Sequence, residues 1–253
     1  EFLWRSRAKL AYDIPKCKIE PYASVEMYNG LNRGERFDVQ RMRYRGGVVT
    51  KNLKVAVKNK ETKETDTITS PAANPWMGTD MLNMLNGVKE GTVTRNRLVA
   101  VPQCSYSHVI QLRNWLPDAV GGVAWLSFDN PGQSPRIPIF SGTTDLPAAF
   151  GICGQHRHRE DAIVWKYRTA NKLATVRWGL TKEKINGAVA HFEEKGLSEM
   201  PFVENRYKEL QDSKGEETAR AFLTGYTADF AGATILRWQE MADEFWKMFA
   251  RGF

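Results

Sequence analysis

Residues 97–142 read RLVAVPQCSYSHVIQLRNWLPDAVGGVAWLSFDNPGQSPRIPIFSG, and their rhythm decides the fold class. Four strand-like runs occupy 97–101, 105–113, 122–128 and 136–140. Turn residues separate them: Pro102, then Pro117-Asp118, then Asp129-Asn130-Pro131-Gly132. Connections this short leave no room for crossover helices, so the runs are expected to pair as an antiparallel meander.

Working back toward the N-terminus, residues 41–60 read as two strands around a Gly46-Gly47 turn. The polar run 59–69 has hairpin or surface-loop composition. A short helix is expected from Thr79, with Thr79 as its N-cap. Met81, Leu82, Met84 and Leu85 form its apolar face, and Gly87 and Gly91 end it. Pro15 and Pro21 interrupt any helix in the first thirty residues.

Toward the C-terminus the period changes. Residues 159–178 place Ile163, Tyr167, Ala170 and Ala174 on one helical face. Three more helices are expected: one opened by Thr181 and closed by Gly196, one over 201–210, and a long one over 216–249. The last carries Phe222, Tyr226, Phe230, Ala233, Arg237, Met241 and Phe245 along one side. Strands followed by helices mean α+β, a mostly antiparallel sheet with helices layered on it. Residues 1–142 are then mainly strands with one short helix, and 143–253 mainly helical, within one domain.

Composition narrows the function classes. The 253 residues carry a net charge of +7, with 42% hydrophobic, 26% charged and 11% aromatic residues, which calls for a packed interior. No stretch approaches the ~20 apolar residues of a bilayer helix. The surplus of basic residues is interleaved with acids, and no nucleic-acid-binding signature accompanies it, so no nucleic-acid partner is expected. Cys17, Cys104 and Cys153 are too few and too scattered for a disulfide framework. Cys153, His156 and His158 lack a fourth ligand at a metal-binding spacing, so no metal is expected and a surface loop is. His191 has no partner in the sequence pattern. No serine elbow, phosphate loop, dinucleotide fingerprint or HExxH occurs.

The strand 105–113 holds the candidate site. Alternation puts Ser105, Ser107, Val109, Gln111 and Arg113 on one face and Tyr106, His108, Ile110 and Leu112 on the other. A polar row amid apolar strands either faces solvent or meets a ligand, because burying it without partners is costly. Gly121-Gly122 permits unusual φ or close backbone approach, and alternatively offers N–H groups to an oxyanion.

Several short motifs stand in fixed order here: Gln111-Leu112-Arg113, Leu116-Pro117-Asp118, Gly121-Gly122, Trp125, Ser134 and Pro138. In this the stretch resembles the C-terminal half of the bacterial dipeptidase A family, relatives of the secernins and, more distantly, of choloylglycine and penicillin V acylases. The resemblance implies an N-terminal-nucleophile hydrolase with a four-layer αββα sandwich and no cofactor. Its nucleophile would be a cysteine exposed by leader removal, with its own α-amine as base. Residue 1 is Glu1 and the three cysteines are internal, so the nucleophile is expected upstream. The chain would then be the C-terminal portion of a longer protein, or a subunit whose companion carries the rest. The implied substrate is a small peptide. Arg113 is the candidate for binding it or supporting the transition state, with Gln111, Ser107 and Ser105 as lining; a structural ion pair is the alternative for Arg113. A bile-salt-like or penicillin-like amide is the rival substrate, and a non-catalytic interaction domain with a basic face the rival class. Compartment and homo-oligomerisation stay open.

Overall fold

The computed structural model describes residues 53–93 and 100–250. Two antiparallel sheets and a C-terminal set of helices make an α+β chain. The first sheet is a hairpin of β1 (Lys54–Lys58) and β2 (Thr65–Thr69), in register Lys54↔Thr69 to Lys58↔Thr65. The polar run therefore supplies a strand as well as a turn, and Lys63 takes φ 59° within that turn. The strand expected before Gly46-Gly47 lies outside the described residues. So does most of the run 97–101, of which Ala100 and Val101 are not strand.

Helix α1 (Thr79–Val88) forms where the apolar spacing places it, but its N-cap is Gly78 and Thr79 is the first helical residue. The helix passes through Gly87 and ends at Lys89, whose N–H donates to Leu85 O. Leu82 of this helix packs with Leu53, Ala73 and Val93 in a small separate core.

The main sheet has the order β3-β4-β5, formed by β3 (Tyr106–Leu112), β4 (Gly122–Phe128) and β5 (Ile137–Phe140). Both pairings are antiparallel, with Val109↔Trp125 and Trp125↔Pro138 in register. This is the expected meander. A single helical turn, α2 (Asp118–Gly121), bridges β3 and β4.

Three helices follow: α3 (Ile163–Val176), α4 (Trp178–Lys214) and α5 (Glu216–Phe249). The two helices expected between Thr181 and residue 210 are one helix of 37 residues, with Gly196 and Pro201 inside it. Packing overrides propensity there. Met200 and Val203 flank the proline fully buried, and Gly196 lies against Trp125 and Phe230. The chain reverses into α5 at Gly215, whose φ of 86° suits glycine. On α5 the buried stripe is Leu223, Thr227, Phe230, Thr234, Trp238, Met241 and Phe245, while Ala233 is exposed. That stripe recurs every three or four residues, the spacing that keeps one face of a straight α-helix turned to its neighbours.

Two cores result. Tyr167, Ala170 and Ala174 of α3 meet Ile185, Val189 and Phe192 of α4 and Trp238, Met241 and Phe245 of α5. Val109, Val123, Trp125 and Phe140 of the sheet meet Met200, Val203 and Tyr207 of α4 and Leu223 of α5. At the outer strand β5, Thr227 Oγ1 of α5 donates to Pro138 O at 2.9 Å.

Candidate functional site

The strand alternates as expected, and the end of its polar row nearest Arg113 faces inward. Val109, Gln111 and Arg113 are buried against the helices, while Tyr106, Ile110 and Leu112 are 59%, 62% and 77% exposed. The polar row is not a solvent face. Ser107 is half-buried and Ser105, just before the strand, is exposed.

Arg113 makes an ion pair of the kind its structural alternative calls for. Its Nη1 donates to Glu204 of α4, its Nη2 to Val120 O at 2.7 Å and its Nε to Gly121 O at 3.2 Å. One guanidinium thereby ties β3, α2 and α4 together. Gln111 Oε1 accepts the Trp125 indole N–H at 3.0 Å, and Ser107 Oγ accepts from Arg136 Nη1 at 3.3 Å. At ~3.3 Å rise per residue the row from Ser105 to Arg113 spans roughly 26 Å, longer than a dipeptide. The four residues share a face without converging on one ligand.

At the Arg113 end, Gly121 serves close approach. A Cβ there would stand 2.8 Å from Arg113 O, and its N–H already donates to Pro117 O at 2.7 Å. That N–H is committed to the turn rather than offered to an oxyanion.

The opposite end of the sheet gathers groups that the sequence pattern did not single out. Where β4 ends, Asp129 adopts φ 60°, a left-handed conformation that Asp tolerates better than most residues. Its N–H donates to Ser105 O at 2.9 Å, and its carboxylate turns inward toward α3. There Oδ1 accepts Arg168 Nε at 2.6 Å and Oδ2 accepts Asn171 Nδ2 at 2.9 Å. Arg168 and Asn171 stand three apart, on one side of the helix. Asn171 Nδ2 also donates to Ser134 Oγ at 2.9 Å, and its Oδ1 accepts Trp238 Nε1 of α5 at 3.0 Å. Gln133 Nε2 closes the group by donating to Asn171 O at 3.1 Å. Asp129, Asn130, Gln133, Ser134 and Asn171 are each about 1% exposed. The turn after β4 is thus a buried, hydrogen-bonded polar core rather than a surface connection.

Arg168 stands at the rim of this core. Its side chain is 19% exposed, its Nη2 donates to Cys104 O at 3.1 Å, and its guanidinium lies 5.5 Å over the Trp165 ring. Cys104 sits beside it, its Sγ donating to Tyr106 O at 3.1 Å. Burial pushes the Cys104 thiol up, and the Asp129 charge pushes the same way; the Tyr106 bond and the Arg136 and Arg168 charges oppose them. A thiol raised in this way is the wrong kind for attack, which requires the thiolate. Cys153 is exposed on the loop before α3, as are His156 and His158, and the His158 ring stands edge-on to Trp165 at 4.8 Å. Among the described residues no group of three or more His, Cys, Asp or Glu side chains is placed to hold a metal ion. His191 lines a cleft of about 460 Å³ with Glu183, Lys184, Phe192 and Arg237. The two cations of that cleft both reach Glu244.

Asp129 was legible only as turn chemistry, and Arg168 only as one basic residue among several. The trace they leave in the sequence is Asn171 among Tyr167, Ala170 and Ala174 on the buried face of α3, with Arg168 one turn before it.

Residues 76–191 match the family model of peptidase family C69, which covers the three-stranded sheet, α3 and the polar core. The chain is 40% identical over 98 residues to a probable dipeptidase of Latilactobacillus sakei, covering 39% of this chain and 20% of that one. It is 27% identical over 113 residues to dipeptidase A of Lactobacillus helveticus, covering 44% of this chain and 22% of that one. The likeness to the dipeptidase family read from residues 97–142 therefore holds, over a stretch of about a fifth of these relatives' length.

Proposed function

We propose, from the premise that residues 76–191 are a stretch of a family C69 peptidase, that the intact protein is a dipeptidase that hydrolyses the amide bond of small peptides. The observation that carries this reading is the match across the whole β3-β4-β5 sheet and α3, two relatives of which are named as dipeptidases. The chemistry we assign is attack by a cysteine thiolate on the peptide carbonyl, an oxyanion held by hydrogen-bond donors, and release of the acyl group by water.

The nucleophile in this reading is an N-terminal cysteine outside the described residues. In its favour, Cys104 has its thiol held in the protonated form, and Cys153 lies on an exposed loop. The four-layer αββα sandwich belongs to the same proposal. Its support is the outward face of β3: Tyr106, Ile110 and Leu112 are apolar or aromatic, exposed, and suited to a second sheet packed about 10 Å away. Arg113, Gln111, Ser107 and Ser105 keep a supporting part in it. Their sheet face positions β3 on α4 while its outer face meets the rest of the enzyme.

The test is hydrolysis of unblocked dipeptides by the intact protein and by this chain alone. Thiol-sensitive turnover by the intact protein with none by residues 1–253 is expected. Turnover by the chain alone, or turnover indifferent to alkylation, refutes the assignment of the nucleophile. Failure of the intact protein to cleave any dipeptide refutes the function.

A further inference from the structure

Arg113 was the guanidinium suited by sequence to receive a peptide carboxylate, and the structure engages it entirely in the fold. Arg168 has the opposite character. Its Nε is fixed by Asp129 at 2.6 Å and its Nη2 by Cys104 O at 3.1 Å, while Nη1 makes no hydrogen bond among the described residues. The Trp165 ring lies on one side of it, 5.5 Å from the guanidinium carbon. Asp129 is itself immobilised by Asn171 and by the Ser105 carbonyl. A cation held on two of its nitrogens and over an aromatic face has already lost its rotamer freedom, so binding at the third costs little further ordering. The side chain is 19% exposed, which leaves that nitrogen within reach of a ligand.

We propose that Arg168 is a specificity-determining residue: its Nη1 edge receives the free α-carboxylate of a short peptide, with Asp129 as the positioning residue that aims it. The site selects for a terminal carboxylate and against the same peptide amidated. This inference rests on the dipeptidase reading for its ligand class, although the subsite itself requires only binding.

The experiment uses the intact protein and two non-cleavable probes, glycyl-leucine with a reduced peptide bond and its C-terminal amide. Binding is measured by calorimetry, with hydrolysis of ordinary glycyl-leucine in parallel. The expected result is a preference for the acid over the amide of about 10- to 100-fold, the worth of a charge-assisted hydrogen bond. Arg168→Gln brings acid binding down to the level of the amide. Arg168→Lys, which keeps the charge and the ion pair but not the fork, weakens acid binding and serves if the glutamine variant does not fold. Equal binding of acid and amide by the unaltered protein overturns the proposal, as does a preference that survives in Arg168→Gln or is undiminished in Arg168→Lys. Selective binding of the acid without hydrolysis of glycyl-leucine keeps the subsite and removes the dipeptidase function. Hydrolysis without any acid preference does the reverse.

Discussion

Replacing Arg113 by methionine separates its two readings cleanly. The guanidinium is 2% exposed and Glu204 is 15% exposed, so their ion pair is well shielded from water. Losing one partner of such a pair costs about 3–5 kcal/mol. Two facts place this case toward the lower half of that range. Glu204 retains some access to water, and Gly121 O still accepts the Arg113 backbone N–H at 3.1 Å. Val120 O, by contrast, loses its 2.7 Å donor in a buried place. A loss of about 3–4 kcal/mol is therefore expected, a large share of the 5–15 kcal/mol that holds an ordinary domain. The companion Glu204→Leu and the double variant complete a cycle, in which the double variant is more stable than the summed losses predict by about 1–3 kcal/mol. Urea unfolding of the intact protein followed by tryptophan fluorescence reads these values. If Arg113→Met costs less than about 1 kcal/mol while peptide hydrolysis collapses, the side chain meets substrate and the structural account fails.

Asn171→Ala removes the side chain that joins Asp129, Ser134 and Trp238, and a loss of about 3–5 kcal/mol in chemical denaturation is expected from the buried groups it leaves bare. Among the described thiols, Cys153 reacts with iodoacetamide near neutral pH well before Cys104, whose thiol burial holds up; mass spectrometry of the alkylated peptides checks the order. Glu244 is held below the usual carboxylate range by Lys184 first and Arg237 second, so it stabilises the α4–α5 pairing above its unfolded pKa. That contribution is lost as pH falls through the lower folded value, and Glu244→Gln makes thermal stability less sensitive to acid below about pH 4.5. Tyr207, pushed up to about 12 by burial and by its bond to Glu216, works in the other direction: its contribution is intact below pH 10 and is lost as pH rises toward 12, visible as a late phenolate absorbance change.

The meander was legible because strand length and turn chemistry are local. Residues 122–128 and the turn at Asp129 need only their own neighbours to be recognised. Which face of β3 points inward was not local. Arg113 and Gln111 go inside because Glu204, 91 residues later, and Trp125 on the next strand provide partners, and pairing at that range leaves no periodic trace. The division of 178–214 into two helices failed for the same reason. Gly196 and Pro201 are breakers by propensity, but each sits where buried side chains hold the helix straight through. The polar core at Asp129 combines both difficulties. A residue that reads as a turn from its neighbours takes its role from Arg168 and Asn171, about forty residues on.

Pro138 gives the main sheet two unlike sides. Proline has no N–H to offer a neighbour, and the Pro138 carbonyl is already taken by Thr227. A strand laid beyond β5 would meet a missing donor and an occupied acceptor at the middle of a four-residue strand. β3 contains no proline over Tyr106–Leu112 and pairs only with β4 among the described residues. The sheet thus has a capped end and a growing end. Any insertion, fusion or rearrangement that widens it over evolutionary time has one side on which to be accepted, and the helices above Phe140 need never move to make room for it.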